Sequence, residues 1–264
     1  MEPIEIIIYP LIGFAAATAG SLMGVGGGFM MVPIFMFLGF NRMYNVNLAP
    51  ILSLFVIIFV ALSASVKYSY EKSINYRLGL MYAPFSIIGT LVGTQILNLI
   101  KEFSFKIIFT IIIGIVGIRL IYNRKKKSNT ESQDIAFKGQ CSYYWVFFWG
   151  FLTGLTASIV GIGGGLIAVP VIHIFFLETM HIAIATSLFI MIFTASFSTV
   201  SNCFIYIEVL DTYFFIAGLL VAAGAIIGSQ IGSLIQIRLK GKTLQLLFGY
   251  FMMGIAIPLL WLGS

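Results

Sequence analysis

Charge is scarce in this chain. Only 9% of its 264 residues are Asp, Glu, Lys or Arg, where a soluble domain carries about 25%. Histidine and cysteine occur twice each. Cys141 and Cys203 fit no metal or redox spacing. His-Glu-x-x-His and Gly-x-Ser-x-Gly are both missing, which removes the zinc-protease and serine-hydrolase signatures. The opening residues Met1–Glu5 lack the basic stretch of a cleavable signal, so the apolar run from Ile6 is expected to stay as a first span. The net charge of +6 does not point to nucleic acid, because the bases sit at segment ends and in one linker.

What fills the space is apolar: 60% of the residues are hydrophobic. A soluble fold of this size would have no polar cover for so much of it, and a bilayer removes that demand. Residues 47–66 and 146–171 carry no charge at all, and runs of roughly 18 apolar residues read as membrane helices. Ten hydrophobic segments follow, near 6–23, 28–40, 48–66, 77–99, 105–122, 143–160, 165–177, 183–205, 213–235 and 243–261. The second and seventh are too short to cross a hydrocarbon core of about 30 Å, so a broken or re-entrant helical hairpin is expected at each.

The chain repeats itself. Ser21–Pro33 recurs as Ser158–Pro170 at an offset of 137, with four glycines, Ser, Val and Pro in common. Ser53-Leu54-Phe55 pairs with Ser187-Leu188-Phe189 at 134. Gly89, Gly93, Thr94, Gln95 and Ile96 align with Gly224, Gly228, Ser229, Gln230 and Ile231 at 135. The reading is a first transmembrane repeat over 1–122, a basic cytoplasmic linker over 123–140 and a second repeat over 141–264. The fold class is an all-α polytopic membrane protein of two repeats with about five segments each.

Basic residues mark the cytoplasmic side. They cluster in the linker (Arg124, Lys125, Lys126, Lys127, Lys138), near 67–77 (Lys67, Lys72, Arg77) and near 236–242 (Arg238, Lys240, Lys242). The 206–212 turn holds Glu208 and Asp211 and no base. Walking the chain with these constraints puts both termini outside and orients the halves oppositely. Inverted repeats are common among secondary transporters, with the solute near the midplane between them.

The glycine clusters are the leading candidates for chemistry. Gly26, Gly27 and Gly28, with Gly163, Gly164 and Gly165, each precede a short helix. A glycine turn opening a helix exposes amide N–H groups at the positive end of the helix dipole, which holds an anion without a cationic side chain. Polar residues inside spans are costly and often functional. Ser53 and Ser187, Thr186 beside the latter, and the aligned Gln95 and Gln230 are therefore candidate substrate-binding residues. His173 has no counterpart in the first half and is a candidate for proton coupling. No metal ligand set and no cofactor motif is present.

The duplicated Gly-x-Gly-Gly-Gly-x-x-x-Val-Pro block, at Gly24–Pro33 and Gly161–Pro170, resembles that of the sulfite exporter TauE/SafE family. Thr186-Ser187-Leu188 matches a Thr-Ser-Leu block of that family, whereas Leu52-Ser53-Leu54 departs from it. The resemblance implies a secondary transporter of a sulfur oxyanion or organosulfonate in a bacterial inner membrane. A passive anion channel, or an import carrier for another small carboxylate or sulfur compound, is the alternative. The partners expected are a small anionic substrate, membrane lipid and, in a homo-oligomer, further copies of the chain.

Overall fold

The computed structural model describes residues 3–37, 48–97, 143–206, 210–244, 246–250 and 254. The segment expected over 105–122, the linker over 123–140 and most of the last segment lie outside the described residues.

Among the described residues, helices run over α1 (Pro3–Met23), α2 (Gly28–Phe37), α3 (Leu48–Tyr70), α4 (Tyr76–Leu97), α5 (Tyr143–Val160), α6 (Gly165–Ile174), α7 (Met180–Ile205) and α8 (Thr212–Arg238). Side-chain caps start several of them. Asn75 Oδ1 accepts from Leu78 N at 3.0 Å before α4, Thr179 accepts from Ile182 N before α7, and Asp211 accepts from Phe214 N before α8. These caps satisfy amides that the helix itself leaves open.

Among the described residues, five helices (α1, α3, α4, α7 and α8) are long and apolar enough to cross a membrane. Their outward faces carry Ile7, Leu11, Leu62, Val66, Leu80, Ile88, Leu219 and Ile227, all large, apolar and exposed, as lipid requires. The helices α2 and α6 have 10 residues each, about 15 Å of rise, half a hydrocarbon core. α6 is shorter than its hydrophobic run because Phe175–Thr179 turns back under it. Leu177 takes φ 56 there, and Glu178 N donates to Ile172 O.

Packing runs across the repeat boundary. α1 lies along α8, α4 along α5, and α3 against α7, so each main pair joins one half to the other. Two apolar clusters result, and each draws on both halves. One gathers Tyr68, Tyr82, Ile184 and Met191; the other gathers Tyr9, Phe35, Leu52 and Phe214.

Glycines set how close these pairs come. Between α4 and α5, a Cβ on Gly89 would strike the Phe151 carbonyl, and one on Gly154 the Ser86 carbonyl. Between α1 and α8, Gly13 meets the Val221 carbonyl and Gly228 the Phe14 carbonyl in the same way. Such small-residue seams are how helices approach in lipid.

These contacts also correct a register. A Cβ on Gly79 would lie 2.7 Å from the Phe189 ring, and one on Gly218 2.8 Å from the Phe55 ring. Gly89 then corresponds to Gly228, and Gly93 to Gly232, an offset of 139. The alignment of Gly89 with Gly224 was one helical turn short. Glycines at 224, 228 and 232 recur every four residues, so a one-turn slip still matches glycine to glycine. Gln95 and Gln230 are therefore not equivalent positions.

Because a side chain at a seam meets backbone, Gly154→Leu and Gly228→Leu should each destabilise by about 1–3 kcal/mol. Gly254, with nothing within 4 Å, should accept the same change silently. Thermal melting of the detergent-solubilised protein checks this; equal melting of all three variants would contradict the seam.

Candidate functional site

Each short helix begins from a glycine turn with left-handed backbone. Gly24, Gly26 and Gly27 have φ of 73, 72 and 85, and Gly161, Gly163 and Gly164 have 74, 75 and 88. Only glycine enters that region without strain. The first turn also closes α1: Val25 N and Gly26 N both reach Gly20 O, at 2.8 and 3.2 Å. Those two amides are thus spent on the helix end and are not free for a ligand.

The two turns meet in the core, and they meet reciprocally. Ser53 Oγ on α3 donates to the Gly161 carbonyl at 2.9 Å. Ser187 Oγ on α7 shares its proton between the Gly24 carbonyl at 2.9 Å and Ile184 O of its own helix at 2.8 Å. Each hydroxyl caps the turn of the opposite half. A Cβ on Gly28 would come within 2.8 Å of the Gly161 carbonyl oxygen. One on Gly165 would meet the Gly24 carbonyl oxygen in the same manner. The start of each short helix therefore faces a carbonyl oxygen from the other half.

Two side chains fill the centre. A Cβ on Gly26 or on Gly163 would come within 2.5 Å of Met191 Cε in either case. The same Cβ atoms would lie 3.2 and 3.1 Å from Ile57 Cγ2. Ile57 and Met191 are 134 apart, the spacing of Ser53 and Ser187. All the residues at this junction are buried.

Of the sequence-predicted residues, the junction brings together Gly26, Gly27, Gly28, Gly163, Gly164, Gly165, Ser53 and Ser187. It does not gather the others. Thr186 Oγ1 accepts from Asn75 N at 3.0 Å and anchors the turn before α4. Gln95 is exposed on α4. Gln230 braces α8 to α3 through Ser63 O and Ser63 Oγ at 2.6 and 2.8 Å. His173 lies at the far end of α6, its Nδ1 2.7 Å from Glu178 O, and closes the loop there. Sequence reasoning missed Ile57 and Met191, whose only signal is their shared offset inside apolar runs. It also missed Thr194, whose hydroxyl donates to Gly163 O at 3.0 Å.

Comparison with known proteins finds membrane transporters. The family model described as "Sulfite exporter TauE/SafE" matches residues 9–259. The chain is 27% identical to "Probable membrane transporter protein YunE" of Bacillus subtilis, over 97% of this chain and 98% of that protein. It is 27% identical to "Probable membrane transporter protein MJ0441" of Methanocaldococcus jannaschii, over 61% and 59%. A "Probable membrane transporter protein" of Xylella fastidiosa strain Temecula1 is 24% identical over 95% and 92%. No solved structure matches the chain. With a glycine block at the start of each short helix and the family model spanning nearly its whole length, the chain belongs to the sulfite exporter TauE/SafE family of membrane transporters.

Proposed function

We propose that the protein is a secondary carrier for a small anion of the sulfur oxyanion or organosulfonate class, working by alternating access between two inverted repeats. The observation that carries this reading is the reciprocal junction. The Gly161 and Gly24 carbonyl oxygens sit against the N-termini of α2 and α6, in the position an oxyanion would take. Separating the halves would break the bonds from Ser53 and Ser187 to these carbonyls. Two hydroxyl donors and two helix N-termini would then be free for an anion's oxygens. The substrate replaces the protein's own carbonyls as the negative partner, so the occupied open form and the empty closed form both keep their donors satisfied.

A two-fold relation between the halves is supported by paired contacts: Gly28 lies against the Gly161 carbonyl as Gly165 lies against the Gly24 carbonyl, and Ser53 and Ser187 exchange in the same way. With the bases inside, that axis lies in the plane of a bacterial inner membrane, the termini outside and the 123–140 linker in the cytoplasm. The two repeats, 1–122 and 141–264, are the moving bodies in this scheme.

Flux in proteoliposomes tests the carrier. Sulfite uptake should saturate and show counterflow, whereas linear, non-saturating flux would favour the channel. Gly27→Val with Gly164→Val places branched side chains at φ 85 and 88, and transport should fall at least about tenfold, the loss of roughly 1.4 kcal/mol. Wild-type flux in that double variant would remove the glycine turns from the mechanism. Ser53→Ala and Ser187→Ala should each weaken apparent substrate affinity by about two- to tenfold, as for one lost hydrogen bond.

Orientation is tested separately. In a background lacking Cys141 and Cys203, Thr212→Cys should react with an impermeant maleimide added to intact cells, and Glu71→Cys should not. The opposite labelling would reverse the topology.

A further inference from the structure

A second polar site lies beyond the glycine junction, along α7. Below Thr194 this helix carries Ser198 and Asn202 on one face, both buried. Ser198 Oγ donates to Ser158 Oγ on α5 at 3.2 Å. Ser158 Oγ lies 2.6 Å from Thr94 Oγ1 on α4, and Thr94 donates to Thr90 O at 2.8 Å. Asn202 Nδ2 donates to Ser198 O at 2.8 Å and leans on Ser198 Oγ at 3.4 Å.

A hydroxyl has one proton to give, so these bonds hold together in only one orientation. Thr94 spends its proton on Thr90, Ser158 on Thr94, and Ser198 on Ser158. Every donor in the chain from Asn202 to Thr90 is engaged, and what remains is oxygen lone pairs. Asn202 Oδ1 is fully buried and has no hydrogen-bond partner among the described residues. An acceptor left bare in this setting costs several kcal/mol and calls for a positive or donating guest.

The surrounding backbone agrees. Ser158 stands in the last turn of α5, which ends at Val160. Asn202 stands in the last turn of α7, which ends at Ile205. Both helices bring the negative ends of their dipoles here. The cluster holds no carboxylate, so its field suits one positive charge and not the two of a hard divalent ion.

We propose that Thr94, Ser158, Ser198 and Asn202 form a binding site for a monovalent cation of the sodium class. The site exists once. At the corresponding places in the first half, Ala64 stands for Ser198 and Tyr68 for Asn202, and the Tyr68 hydroxyl donates to Ser21 O at 3.1 Å. A cation here neutralises the charge of an anion held nearby and can drive its movement. That coupling role rests on the carrier reading; binding of the cation does not.

The test needs no transport. Purified full-length protein is melted in sodium, potassium and choline chloride at one ionic strength, and radioactive sodium binding is measured. Sodium should raise the melting temperature saturably where choline does not. Asn202→Leu should abolish the effect, Thr94→Val, which orients the chain through Ser158, should weaken sodium affinity about tenfold, and Tyr68→Phe should leave it intact. Identical melting of the wild type in sodium and choline would overturn the proposal, as would an undiminished sodium response in Asn202→Leu. Should Asn202→Leu fail to fold, Asn202→Asp decides: its added negative charge should tighten sodium binding, and unchanged affinity would mean that Oδ1 holds only water.

Discussion

A helix broken inside a membrane leaves carbonyls that lipid cannot solvate, and something in the protein must meet them. Here the meeting is reciprocal. Ser53 answers for Gly161 and Ser187 for Gly24, each across the boundary between repeats. The rest of the architecture serves this exchange. α3 and α7 must cross at the centre to present their hydroxyls. α1 and α5 must end there, and α2 and α6 must start there. The outer pairs α1 with α8 and α4 with α5 then clamp the crossing from both flanks.

The clamp depends on backbone approaching backbone. At Gly13, Gly89, Gly154 and Gly228 a carbonyl of the neighbouring helix occupies the space of a Cβ. Such seams gain dispersion contacts that bulky residues would forfeit, which matters where no hydrophobic force separates helix from lipid. Rigid outer seams and a junction held by few hydrogen bonds make a structure that would part at its centre before its edges.

Much of this was legible from residues alone. The duplicated block revealed both turns, since a left-handed turn with a close-packed neighbour admits only glycine. Ser53 and Ser187 were legible because a polar residue at the same place in both copies needs a partner. Other features were hidden for physical reasons. The four-residue glycine rhythm of α8 is degenerate to a one-turn slip, so Gln230 was matched to Gln95 although one braces α3 and the other points outward. Thr186 was read with Ser187, yet successive helix positions face about 100° apart and the two serve different neighbours. Asn202 escaped notice because it breaks the repeat, and a reading built on symmetry gives weight to what recurs.

The reciprocal capping has a consequence for ancestry. Each repeat leaves one carbonyl of its turn to the other copy: Ser53 reaches Gly161 O and Ser187 reaches Gly24 O. An unduplicated forerunner would leave those carbonyls to a second copy of the chain. Fusing two copies removes that constraint. Once each copy had a fixed place, one could become oily and aromatic at Ala64 and Tyr68 while the other turned polar at Ser198 and Asn202. Covalent linkage thus converted a symmetric partnership into a division of labour.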